Sequence, residues 1–94
     1  MKFMIYTHDK AGAADLRQAT RPAHLDYVRK QDDVKVLSAG PWLDETETTP
    51  IGSLLVVEAK CIDCVKSWLE QDPYVKVGLT AQTIIHPLGG WMKF

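Results

Sequence analysis

An α+β fold is what this sequence predicts: a four-stranded antiparallel sheet with two helices on one face, in the order β-α-β-β-α-β. Three observations carry that reading. Four stretches, "KFMIYTH", "VKVLSAGPWL", "IGSLLVVEA" and "TAQTIIHPL", are rich in β-branched and aromatic residues. Two stretches between them, "TRPAHLDYVRK" and "CIDCVKSWLEQ", carry residues that recur at helical spacing. Finally, 94 residues make one domain, 1–94, with no internal repeat, low-complexity tract or linker. The order is that of the ferredoxin-like split unit.

The first strand spans about Lys2 to His8 and alternates Phe3, Ile5 and Thr7 against Met4, Tyr6 and His8. Both rows are partly apolar, which predicts a central strand. "DKAGAADLRQAT" reads as a loop and a weak helical segment. The first helix then starts with Thr20 as N-cap and Pro22 in the first turn, and runs to about Gln31. Arg17, Arg21, His24 and Val28 share one of its faces, while Leu25 and Val28 turn toward the sheet. The second strand ends at the Gly40-Pro41 breaker, and the acidic "DETETTP" forms a hairpin connection. The third strand is a near-continuous apolar run, as in strands buried on both faces. Cys61, Cys64, Val65, Trp68 and Leu69 mark the second helix as amphipathic. "DPYVKVGL" is a turn or single helical turn at Pro73; the fourth strand and a "GGWMKF" tail follow.

Composition excludes several function classes. Eleven Lys and Arg against twelve Asp and Glu give a net charge of −1, so nucleic acid and anionic membranes are not expected partners. The apolar start "MKFMIY" is too short for a signal-peptide core or a membrane span, and the expected location is the cytoplasm. A chain this small buries only about 60–65% of its unfolded surface. Helices on one side leave the other sheet face wet, so a homodimer through that face is expected. Two cysteines do not make a disulfide framework.

His24 and Asp72 are the leading candidates for chemistry. The helices of this topology pack antiparallel, which brings Asp72, after the second helix, toward His24 near the start of the first. A carboxylate accepting from one imidazole nitrogen fixes the tautomer and raises the basicity of the other, as a general base requires. The competing reading has Asp72 capping the turn at Pro73 and His24 solvated. Arg17 and Arg21 share the His24 face and suit a carboxylate or enolate oxygen, unless they lie on a solvated face. Ser53 places a hydroxyl on the sheet beneath the helices as a polar anchor. Trp42, after Gly40 and Pro41, either walls a pocket or merely ends a strand. "CIDC" has redox-motif spacing at a helix start, yet also suits two small core residues. His8, His24 and His86 show no H-x-H or H-x3-H spacing, so no metal site is expected.

Several stretches together resemble the YciI-like family: "IYTHDK", "RPAHLDYV", "SAGPW", "GSLLVVE", "DPYVKVGL" and "IIHPL", in that order over nearly the whole chain. The "RPAHL" and "DPY…GL" elements are the most specific. The resemblance implies a ferredoxin-like fold paired into a dimeric α+β barrel, similar in shape to muconolactone isomerase. It also implies a small cofactor-free protein whose active site joins a histidine and an aspartate, matching His24 and Asp72, with Ser53 as a further pocket residue. One branch of the family removes chloride from a chlorinated hydroxyquinone. The short "LDETETTP" hairpin and the "LGGWMKF" tail depart from the family's pattern and leave the substrate open.

The resulting expectation is a small cofactor-independent lyase or isomerase acting on a cyclic oxygenated metabolite. His24 moves the proton, Asp72 orients it, and Arg21, Ser53, Trp42 and Tyr74 contact the small-molecule ligand. The alternative is a ligand-binding or accessory dimeric domain without turnover.

Overall fold

The computed structural model describes residues 1–30, 32–90 and 94. Its elements are β1 (Lys2–Asp9), α1 (Ala14–Val28), β2 (Lys35–Leu43), β3 (Pro50–Glu58), α2 (Ile62–Glu70), the short α3 (Pro73–Lys76) and β4 (Thr80–Pro87). The four strands form one antiparallel sheet in the order β2-β3-β1-β4, the ferredoxin-like arrangement. β1 is central, as its two apolar rows require. Among the described residues no helix is long and apolar enough to cross a membrane. α1 ends at Val28, short of the expected Gln31, which lies outside the described residues, as do Trp91, Met92 and Lys93 of the "GGWMKF" tail.

The pleat of β1 sorts the molecule into two sides. Phe3, Ile5, Thr7 and Asp9 are buried, and opposite them on β3 stand Val57, Leu55 and Ser53. With Val28, Val34, Ala59, Val65 and Leu69, the apolar members of these rows form the core under the helices. Along the same rows the chemistry changes from Phe3–Val57 and Ile5–Leu55 to Thr7–Ser53, and then to Asp9. One end of the helix-covered side is therefore apolar and the other polar.

The other side of the sheet carries Met4, Tyr6 and His8 of β1, with Leu54 and Val56 of β3 and Ile84 and His86 of β4 across from them. Leu54 is 45% exposed. Val56, at 8%, is shielded, so the apolar run of β3 is buried on both faces only in part.

Three local readings are corrected. Thr20 does not cap α1. The N-cap is Ala13, seven residues earlier, after a turn in which Gly12 takes φ +68°, and Pro22 lies inside the helix. An interior proline costs about 3 kcal/mol or more in an isolated helix. Here Arg17, Thr20, His24 and Val28 form a buried stripe across the break, and that tertiary anchoring outweighs local propensity. Thr20 Oγ1 instead donates to the Leu16 carbonyl at 2.8 Å.

β2 does not end at Gly40-Pro41 but continues to Leu43, with Pro41 opposite Ser53. β2 is an edge strand, where the missing proline N–H is tolerated. Cys61 is not a core residue. It is exposed at the N-cap of α2, its sulfur accepts from the Cys64 N–H at 3.2 Å, and the two cysteines are joined in a disulfide.

Gly52 is a tight spot between the two sides. A Cβ there would overlap the Trp42 indole and the Thr7 carbonyl, while its own carbonyl accepts from Arg17. Gly52→Ala is expected to lower stability by at least about 2 kcal/mol, as overpacking does. Denaturant unfolding would show this as a lower midpoint with an unchanged slope.

Candidate active site

α1 and α3 build the site together. On α1, the buried stripe places Arg17 and His24 two turns apart with Arg21 between them at the helix edge. α3 has only four residues, yet it is capped at both ends. Asp72 is its N-cap, with Oδ1 accepting from the Tyr74 N–H at 3.0 Å, and Pro73 suits the first position. At the other end Gly78 takes φ +80°, its N–H reaching the Val75 carbonyl and the Leu79 N–H the Tyr74 carbonyl, each at 3.0 Å. This is a Schellman closure, and it fixes Tyr74 on a rigid turn.

The two readings of Asp72 prove to describe the same atom group. While capping α3, the carboxylate also accepts from His24 Nδ1, at 2.8 Å from Oδ1 and 3.0 Å from Oδ2. Asp72 is 2% exposed and His24 8%. A carboxylate can only accept from the ring, so the neutral imidazole carries its proton on Nδ1 and leaves Nε2 with a lone pair. Among the described residues Nε2 has no protein partner, and no buried polar side-chain atom is left unpaired. Nε2 therefore opens toward the adjoining cavity.

Tyr74 stacks on the imidazole with centroids 3.9 Å apart and planes 15° from parallel. The Arg17 guanidinium lies 4.7 Å from the same tyrosine ring. Burial pushes the Tyr74 phenol above its ordinary value, against the opposing pull of Arg17 and Arg21, so it stays a neutral donor at neutral pH.

Both terminal nitrogens of Arg17 are engaged. Nη1 meets both oxygens of Asp9 at 3.0 Å, while Nη2 donates to the Gly52 carbonyl at 2.8 Å and to Ser53 Oγ at 2.7 Å. The Ser53 N–H is held in turn by Thr7 Oγ1 at 3.1 Å. Ser53 Oγ thus accepts from Arg17, and its own proton, with no acceptor among the described residues, can be donated to a ligand. No motif in the sequence singles out Asp9. Continuing the buried row Phe3–Ile5–Thr7 by one step of two reaches it.

These groups border a cavity of about 400 Å³ between α1 and the β2–β3 end of the sheet. His24, Arg21, Ser53 and Tyr74 all line it, with Arg17 and Gln18; Ala39, Gly40 and Pro41 of β2 leave the space open. Trp42 does not line it, which corrects its reading as a pocket wall. Because β2 continues past Pro41, the alternation turns Trp42 to the uncovered side. There it stacks on Tyr6 at 5.0 Å, meets His8 edge-on, and donates from Nε1 to the Thr7 carbonyl at 2.8 Å.

The YCII-related domain family matches residues 1–89, and the chain belongs to that family. Protein YciI of Escherichia coli O6:H1 is 30% identical, the match covering 93% of this chain and 95% of that protein. An uncharacterized protein of Haemophilus influenzae is also 30% identical over the same shares. Among solved structures, 5-chloro-2-hydroxyhydroquinone dehydrochlorinase (TftG) of Burkholderia phenoliruptrix AC1100, in complex with 2,5-dihydroxybenzoquinone, superposes with a TM-score of 0.86. It is 35% identical, covering 94% of this chain and 93% of that one.

The double duty of Asp72 makes its variants separable. In Asp72→Asn the side-chain oxygen still caps α3, and stability should fall by about 1 kcal/mol. Asp72→Ala loses the cap and leaves the buried His24 Nδ1–H unpaired, a loss of about 2–4 kcal/mol. Thermal unfolding of the two variants side by side reads the difference. Breaking the other pair with Arg17→Met should cost about 3–5 kcal/mol, because Asp9 is left charged and buried.

Proposed function

We propose that this YCII-related protein is an acid–base enzyme of the lyase or isomerase type, acting on a cyclic oxygenated small molecule. The observation that carries the reading is the state of His24: one ring nitrogen held by a buried carboxylate, the other unpartnered beside a cavity. That is the arrangement a general base needs, and Asp72 stabilises the imidazolium formed when the base takes a proton. The likeness to a dehydrochlorinase crystallised with a quinone supports a ring substrate.

In such a reaction Nε2 takes a proton from an oxygen or carbon of the bound ring. The electron pair left behind moves into the ring as a new double bond, and a leaving group such as chloride departs with its own pair from a neighbouring carbon. In an isomerisation the same nitrogen returns the proton to a different atom. Ser53 donates to a ring oxygen, Arg21 holds another at the edge, and Tyr74 covers the imidazole. The 400 Å³ cavity has room for one ring of this size. The chemistry proposed needs only these side chains and no cofactor.

The functional unit we propose is a homodimer joined through the uncovered sheet face. Tyr6, Trp42, Leu54 and Ile84 give that face an aromatic and aliphatic surface that a second copy would bury.

A thermal-shift screen of the wild type beside His24→Ala tests the site reading. The panel holds hydroxyquinones, chlorinated catechols and hydroquinones, lactones and small keto acids. A compound that raises the melting temperature of the wild type alone places the ligand at His24. His24→Gln should then lower turnover of that compound by about 10²–10⁴-fold. Stabilisation that survives loss of the imidazole, or binding without turnover, would favour an accessory binding domain. For the dimer, Leu54→Glu should convert the species seen by sedimentation velocity to a monomer that remains folded.

A further inference from the structure

The charges around the cavity are not balanced alike. Among the described residues no Asp or Glu side chain lines it, while Arg17, Arg21 and His24 do. Arg17 is neutralised by Asp9 through two hydrogen bonds, and its other terminal nitrogen is engaged by the Gly52 carbonyl and Ser53 Oγ. His24 faces Asp72. Arg21 differs from both: it is exposed, it stands one turn of α1 from each, and it forms no ion pair among the described residues. Its charge nevertheless reaches the interior, since it acts on the Tyr74 phenol.

The remaining walls favour a flat apolar body: Leu25, Val28, Pro41, Pro50 and Leu55. A ring seated against them meets neutral polar groups at Ser53, Gln18 and Tyr74, and at the edge Arg21, the one lining cation that no carboxylate pairs among the described residues. An ionised Asp72 behind a neutral imidazole also places a negative charge near the ring. An anionic ligand is tolerated there only if a cation offsets that field, and Arg21 is the group placed to do so.

We infer that Arg21 determines specificity for rings bearing an anionic oxygen (a phenolate, enolate or ring carboxylate) over neutral rings of the same shape. The inference rests on the site reading above and adds the charge of its substrate. An exposed arginine at a cavity edge makes its contact on entry and keeps it through the reaction. Its removal should therefore raise KM and leave kcat nearly unchanged.

The test is calorimetric titration of the full chain with two probes. One is 2,5-dihydroxybenzoquinone, whose hydroxyls are vinylogous carboxylic acids and ionise at neutral pH. The other is hydroquinone, a neutral ring under the same conditions. Arg21→Gln should weaken binding of the anionic probe by about tenfold and of the neutral probe by less than about twofold. Arg21→Lys should restore part of the loss. Raising NaCl from about 20 to about 200 mM should weaken the wild type more than Arg21→Gln.

Equal weakening of both probes, an unchanged affinity of Arg21→Gln for the anion, or no preference by the wild type would each overturn the inference. So would failure of the wild type to bind either probe. His24→Asn separates the two levels. If it weakens the anionic probe while Arg21→Gln does not, the site stands and the role of Arg21 falls. If neither variant changes binding, both fall.

Discussion

Asp72 is the point at which local and tertiary structure meet. A carboxylate 2% exposed to water is stable only if its oxygens are met by donors, and this one is met by the Tyr74 N–H and His24 Nδ1. The first contact starts α3 and sets the plane of Tyr74. The second ties α3 to α1 and leaves Nε2 unpartnered. Removing the carboxylate would loosen the turn, free the imidazole and unseat the tyrosine that covers it. A single buried charge thus links the helix cap, the packing of α1 on α3 and the orientation of the candidate base.

A second buried pair organises the sheet side. Asp9 ends the helix-facing row of β1, and Arg17 reaches it from α1 while also holding the Gly52 carbonyl and Ser53 Oγ. Buried pairs of this kind are weak evidence for stability, because desolvation offsets much of the attraction. What this pair supplies is geometry: it fixes α1 over the polar end of the sheet and turns the Ser53 hydroxyl toward the cavity. Tyr74 touches both pairs, lying against His24 and within reach of Arg17. The site is accordingly one connected set of side chains drawn from β1, α1, β3 and α3.

Much of the fold is legible in residue pattern, because the strands and α2 announce themselves by alternation and helical spacing. The failures share a cause: local signals were overruled by long-range ones. Thr20 and Pro22 look like a helix start, but the stripe from Arg17 to Val28 is buried as a unit and draws the earlier segment into the helix. Gly40-Pro41 looks like a strand end, yet an edge strand needs no N–H there. The two-residue shift in where β2 stops is what moves Trp42 from the imagined pocket wall to the opposite side of the sheet. In the site, the contact between His24 and Asp72 is readable only through topology and family resemblance, since no local spacing encodes it. Asp9 was within reach of the alternation of β1. The difference between Arg17 and Arg21 was not, because one helical face presents both and only the partners on β1 and β3 distinguish them.

The central claim is that Asp72 holds the proton on Nδ1 of His24 and leaves Nε2 as the basic nitrogen facing the cavity. The ¹⁵N chemical shifts of the His24 ring in its neutral form report this directly. The account predicts a protonated Nδ1 and an unprotonated Nε2, with that preference weakened in Asp72→Asn. A ring protonated on Nε2 and bare on Nδ1, or one indifferent to the loss of the carboxylate, would contradict it.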